Sequence, residues 1–176
     1  MKSNEELIEQ VNNIFDELTG ILEQLSPKHF NTIPFDGSWT AGQLAQHLTL
    51  ANSGFPVLAN GPVTDADREP DQMVAPIRES FLNFEIKFES PEFIRPEIRD
   101  YDKDKMISGL KKIKADIAIA IGDSDLTKTC LAFAFPVLGN LTRYEAANFV
   151  IIHTTRHIHQ LKNIYNALNK KQQFIN

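Results

Sequence analysis

Apolar residues recur along this chain at the spacing of amphipathic helices. Leu7, Val11, Ile14, Leu18, Ile21, Leu22 and Leu25 follow one another at such intervals, and Phe15 widens the stripe. Ser3 and Glu6 stand just before it as a Ser-x-x-Glu capping box, which satisfies free amides at a helix start. A first helix is therefore predicted from about Asn4 to Gln24. Ser26-Pro27 is a second start signal, opening a helical turn or loop through His29 and Phe30. Pro34, Gly37 and Ser38 keep the chain irregular as far as Trp39. Thr40 and Gln43 form the next capping box, and a second helix is predicted from about Ala41 to Leu58, stopped by Asn60-Gly61-Pro62.

The pattern then weakens. Pro62 to Asp71 is polar and turn-rich, a surface loop by composition. Met73 to Phe88 has partial helical spacing through Ile77, Phe81, Phe84 and Phe88, and Pro76 permits a helix only if it starts nearby. Pro91 and Pro96 make Ser90 to Tyr101 an extended connection. Asp102 caps a third helix, striped by Met106, Leu110, Ile113, Ile117 and Ile121 and stopped by Gly122. In the connection from 123 to 140, the run from Cys130 to Phe135 is apolar enough to be buried as a strand-like piece. Thr142 and Glu145 make a third capping box, from which a last helix runs to about Leu168, leaving a polar tail from about 169. Four amphipathic helices without a hairpin signal predict an all-α bundle, one domain over residues 1–176.

Composition narrows the function classes. The net charge is −5 with acids and bases interspersed, and the short basic group Lys111, Lys112 and Lys114 sits on a helical pattern as a solvated face. A nucleic-acid partner would need a clustered basic surface, so none is expected. Cys130 is the single cysteine, which excludes an internal disulfide and a thiolate metal cluster. No run approaches the roughly 18 apolar residues of a membrane span, and the N-terminus lacks the apolar core of a signal peptide. A cytoplasmic protein without a membrane partner is expected.

Candidate chemistry lies in the last helix. Three of the five histidines fall in His153-Thr154-Thr155-Arg156-His157-Ile158-His159-Gln160. His153 and His157 are four apart, one above the other on a helix, and they interrupt the stripe of Ala146, Phe149, Val150 and Ile164 at its middle. His159 points about 120° away from the pair. His47 sits in the centre of the second helix's apolar stripe, flanked by Leu44, Leu50, Ala51 and Leu58. A lone core histidine is ordinarily a hydrogen-bonded side chain. A stacked pair is different, because both rings need partners for two nitrogens and neither charges cheaply. A shared divalent cation satisfies them, and His47, His153 and His157 are the candidate ligands. Three neutral histidines leave a coordination position open, as in catalytic zinc sites. Gln43, Gln160, Arg156 and Asn52 are candidates to support the ligands from behind. The His-Glu-x-x-His signature is absent, since Thr154 follows His153, and no general base is identified.

The segment Trp39-Thr40-Ala41-Gly42-Gln43-Leu44-Ala45-Gln46-His47, with His153-x-x-x-His157 and Gln160 about a hundred residues later, resembles the DinB/YfiT-like family of metalloenzymes. That family's pattern is a tryptophan and a capping Ser/Thr before a helix with one histidine, then a later helix with His-x-x-x-His and a glutamine three residues on. Helix order and length agree, so the resemblance covers essentially the whole chain. It implies a four-helix bundle of up-down-down-up topology in which His47, His153 and His157 coordinate a divalent ion, nickel or zinc. It also implies a homodimer in many members, and a small-molecule substrate. The reaction expected is hydrolase-like, through metal-bound water. The alternatives are S-transfer with a low-molecular-weight thiol of the bacillithiol or mycothiol type, and a non-catalytic metal- or small-molecule-binding bundle.

Overall fold

The three capping boxes form as hydrogen bonds in the computed structural model, which describes residues 1–173. Ser3 N–H donates to the Glu6 carboxylate at 2.7 Å while Ser3 Oγ accepts from Glu6 N–H, opening α1 (Asn4–Gln24). Ser26 Oγ caps a single turn, α2 (Pro27–Phe30). Thr40 and Gln43 exchange side-chain and backbone bonds at 3.0 and 3.1 Å to open α3 (Ala41–Asn52). The chain continues through α4 (Gly54–Ala59), β1 (Val63–Thr64), α5 (Val74–Phe81) and a 3-10 turn at Glu92–Ile94. Asp102 caps α6 (Lys103–Gly122), and β2 (Thr129–Cys130) precedes α7 (Arg143–Gln173).

Four expectations need correction. The second helix does not run unbroken from Ala41 to Leu58; it breaks at Ser53 into α3 and α4. Pro56 has no N–H to donate to Asn52, four residues back, and its ring crowds that carbonyl, so the α-helical ladder stops there. The helical spacing up to Phe88 yields only α5, which starts at Val74 so that Pro76 falls in its first turn, where no bond is lost. The run from Cys130 to Phe135 is not buried as a piece. Thr129–Cys130 pairs antiparallel with Val63–Thr64, but Leu131 and Phe133 are 50% and 39% exposed. Leu131 N–H still bonds Pro62 O, after which the chain turns back on itself through Phe135 and Gly139. Finally, α7 passes Leu168 and extends to Gln173, so the first part of the expected polar tail is helical; residues 174–176 lie outside the described residues.

The long helices pack as their stripes require. Leu7, Val11, Phe15, Leu18 and Leu22 of α1 are fully buried, and each such side chain stabilises the fold by about 1.5–3 kcal/mol. They meet Leu110, Ile117 and Ile121 of α6 and Leu161 and Ile164 of α7 in one core, while α3 also packs against α6 and α7. Asn4 Nδ2 donates to Ile121 O, and the Asp16–Lys114 and Glu23–Lys111 pairs follow, so α6 runs antiparallel to α1. Lys2 N–H meets Tyr144 and Glu17 pairs with Lys162, so α7 runs parallel to α1. The architecture is a four-helix bundle. Among the described residues, no helix is long and apolar enough to cross a membrane.

Glu145 fixes the start of α7. Its carboxylate is fully buried and accepts from Thr142 N–H at 2.9 Å, Arg68 Nη2 at 2.6 Å and Met73 N–H at 2.8 Å. Thr142 Oγ1 in turn donates to Pro70 O at 2.6 Å. The capping box foreseen from sequence thus also clasps the segment ahead of α5. Removing one partner of a buried, hydrogen-bonded charge pair strands the other. Glu145→Ala should therefore lower the unfolding free energy by roughly 3–5 kcal/mol in urea titrations. A loss no larger than that of a typical surface substitution would show that the clasp contributes little.

Candidate metal centre

Positions on two helices, 106 residues apart, are brought together by the phase of their stripes. His47 lies seven residues beyond the Thr40 cap of α3, and His153 lies eight residues beyond Glu145 in α7. All three rings face inward, with exposures of 2% for His47, 6% for His153 and 9% for His157. The Nε2 atoms converge: His47 to His153 is 3.3 Å, His47 to His157 is 3.1 Å and His153 to His157 is 3.1 Å. The rings meet edge-on, at interplanar angles of 61°, 64° and 82°.

The outer nitrogens decide what the inner ones can do. His47 Nδ1–H donates to Ile94 O at 2.9 Å, and His157 Nδ1–H donates to Gln160 Oε1 at 3.0 Å. Both rings therefore turn an Nε2 lone pair toward the centre. His153 Nδ1 is buried without a hydrogen-bond partner. In the metal-free protein a proton on His153 Nε2 can be shared with the two facing lone pairs, at the cost of that orphaned Nδ1. A cation at the centre removes the conflict by accepting all three lone pairs. Around an ion bound at about 2.0–2.1 Å, tetrahedral neighbours lie about 3.3–3.4 Å apart and octahedral neighbours about 2.8–3.0 Å apart. The observed separations fall between those limits, so the donor set fits a divalent transition-metal ion.

Electrostatics keep the cluster neutral. Burial, and after it the neighbouring His47, pull the His157 pKa down from 6.5 to about 3, against the opposing effect of its bond to Gln160. Burial, then the proximity of His157 and His47, hold His153 well below the ordinary range. His47 is lowered by burial, partly offset by its bond to Ile94 O. Lone pairs rather than protons are thus available at the pH of the cell.

Aromatic rings and one arginine enclose the cluster. Phe149 stacks on His153 at 5.4 Å, Phe81 stands edge-on to it at 6.2 Å, and Trp39 tilts against His47 at 5.1 Å. Arg156, between the two ligands of α7, turns outward and donates to Phe81 O at 2.8 Å, Asn83 O at 3.1 Å and Ile86 O. Its guanidinium also lies 4.8 Å from the Phe88 ring, which stacks on Phe81. His159 is exposed and stacks on Phe84 at 3.9 Å. Residues 81–88 are thereby strapped to α7 beside the cluster.

Of the four side chains considered as supports, only Gln160 bonds one of the three histidines. Gln43 spends its amide oxygen on the Thr40 cap, because a capping box draws the residue three positions on back to the helix start. Asn52 donates to Thr154 Oγ1 at 3.3 Å, a buried link between α3 and α7 that touches no ring nitrogen. His29 lies in α2 and takes no part in the cluster. The acceptor that orients His47 is a backbone carbonyl, Ile94 O, and Ser90 Oγ approaches the same nitrogen at 3.4 Å. A carbonyl acceptor has no sequence signal, and Ser90 stands in a connection without periodicity, so neither group was foreseeable.

The depressed pKa values set a pH dependence for the metal-free protein. The unfolded chain binds more protons than the folded one between each folded value and about 6.5, so stability falls as pH drops through that window. Each histidine contributes a slope of up to about 1.4 kcal/mol per pH unit. Urea midpoints measured from pH 8 to pH 5 should hold steady above about 6.5 and decline below it. His153→Phe should flatten the decline.

Comparison with known proteins agrees with this geometry. No curated protein matches the chain. A solved structure described as "Crystal structure of TT2238, a four-helix bundle protein" is similar over 92% of this chain and 99% of that one, with a TM-score of 0.58 and 15% identity. That likeness is one of fold. A model of the DinB superfamily matches residues 10–161, a span holding His47, His153, His157 and Gln160. With most of its length matched, this chain belongs to the DinB superfamily.

Proposed function

We propose that this protein is a divalent-metal-dependent enzyme whose cation is held by Nε2 of His47, His153 and His157. The supporting observation is the convergence of three buried, neutral Nε2 atoms within 3.3 Å, two of the rings fixed from behind by Ile94 O and Gln160 Oε1. When bound there, nickel or zinc supplies Lewis acidity, bringing ionisation of water or a thiol toward neutral pH. The protein's own groups orient and desolvate. Gln160 and Ile94 O keep the His157 and His47 imidazoles in the tautomer protonated at Nδ1, which leaves the Nε2 lone pair free for a cation. Phe81, Phe149 and Trp39 exclude bulk water, which strengthens electrostatic interactions at the centre. Arg156 holds the strap that carries Phe88 against this wall. With three protein ligands a position stays open for substrate, the arrangement of a hydrolase-like catalyst acting on a small molecule.

A second reading, transfer of a low-molecular-weight thiol, is favoured by one feature. Among the described residues the cluster contains histidines alone, with no carboxylate to act as a general base. A thiol ionises at a pKa near 8.5, so it requires less help than water.

Protein purified without an affinity tag should carry about one metal ion per chain, and a chelator should lower its melting temperature. His153→Ala should fold, as judged by circular dichroism, yet retain no ion. Gln160→Leu should weaken metal binding about 10–100-fold, the usual effect of removing a ligand's outer hydrogen bond. A native protein that takes up neither nickel nor zinc on reconstitution would sink the reading. Ester and amide substrates, set against electrophiles supplied with a thiol, then separate hydrolysis from transfer; turnover of neither class would leave a metal-binding bundle without catalysis. Arg156→Gln should speed metal loss to a chelator while changing equilibrium affinity little, because it loosens the strap and leaves the ligands.

A further inference from the structure

Outside the histidine cluster, the feature with most chemistry is a groove of about 610 Å³ walled by Ile33, Asp36, Trp39, Gln43, Arg95 and Ile98. Its volume falls within the range of small-molecule sites. The groove shares one wall, Trp39, with the candidate metal centre. Trp39, which lines it, lies 5.1 Å from the His47 ring. Arg95 follows Ile94, whose carbonyl holds His47 Nδ1, and Arg95 Nη2 donates at 3.1 Å to the carbonyl of Ser90, whose hydroxyl also approaches His47.

Two properties of the lining point to a ligand. Ile33 and Ile98 are 59% and 96% exposed, so beside Trp39 they present an apolar strip that contributes little to the core. Arg95 is exposed, and its guanidinium spends one donor on Ser90 O, with no ion pair to any described acidic group. The fork of donors left over suits a carboxylate, sulfonate or phosphate. Asp36, the carboxylate in the lining, is exposed to solvent.

We propose that this groove binds the body of the metal centre's substrate, a small organic anion with a flat apolar portion. The apolar portion lies along Trp39 and Ile98, and the anionic group pairs with Arg95. The substrate assignment rests on the metal-enzyme reading above; the binding site itself does not.

Trp39 is the single tryptophan of the chain, so its fluorescence reports on this groove without interference. Anilinonaphthalene sulfonate, an apolar ring system with one anionic group, serves as the probe, and uncharged phenylnaphthylamine as its control. Binding should appear as energy transfer from Trp39 to the sulfonate. Arg95→Gln should weaken the sulfonate about tenfold, the equivalent of one charge-assisted hydrogen bond, and leave the neutral control within about twofold. Ile98→Ser should weaken both probes. Loading with nickel should tighten the sulfonate and not the control.

Equal loss of both probes in Arg95→Gln, or no loss of either, overturns the anion site. Exclusion of both probes together with a doubled mass in light scattering also overturns it, by showing the strip covered by a second copy. Arg95-dependent binding that nickel leaves unchanged, in protein shown to take up nickel, overturns the substrate assignment alone. Failure to take up nickel at all is the separate failure of the metal reading.

Discussion

Three imidazole nitrogens held within 3.3 Å of one another in an apolar core impose the central constraint on this molecule. Facing lone pairs repel, protonation is opposed by burial, and one outer nitrogen has no partner at all. Such a cluster is tolerated only where the surroundings are rigid enough to prevent the rings from turning away. The bundle supplies that rigidity through the fully buried stripes of α1, α6 and α7, which continue above and below the cluster in one core. The same strain that makes the metal-free cluster unfavourable makes it receptive to a cation, since binding relieves it.

The elements around the cluster divide the work by type. Regular helices carry the ligands, where rotamers are restricted and positions repeat reliably. Irregular segments add to the helical contacts of Gln160, Phe149 and Phe81: Trp39 just ahead of α3 and Ile94 in the 3-10 turn touch His47, and Phe88 in the strap beyond α5 backs Phe81. Arg156 joins the two classes, since it sits on the ligand helix and bonds three carbonyls of the strap. Together with the stack of His159 on Phe84, it holds the strap against the helix that carries His153 and His157.

Much of this was legible from residue spacing. Ser3 with Glu6, Thr40 with Gln43 and Thr142 with Glu145 each formed the reciprocal bonds that the pattern called for. Helical phase alone brought His153 and His157 together with His47 and set His159 outside. What stayed hidden has physical reasons. Gln43 was considered as support for a ligand although its place in a capping box already committed its side chain. Pro56 lies inside the span predicted for the second helix, and its missing N–H acts four residues earlier to divide α3 from α4. The apolar character of Leu131 and Phe133 suggested burial, but after Cys130 the chain has no further strand to pair with and turns outward. Ile94 O could not be found at all, because every residue has a carbonyl.

The Glu145 clasp bears on how this chain can vary over time. Glu145 is bonded to fixed groups at its own position, so it sets the rotational origin of α7, just over two turns before His153. One residue inserted or lost between them would swing both ligands by about 100° and turn them out of the core. Insertions in the connection from 82 to 101, or from 131 to 140, leave that origin untouched. Related chains can thus exchange loops, and with them the surroundings of the cluster, while the interval from the clasp to the histidines keeps its length.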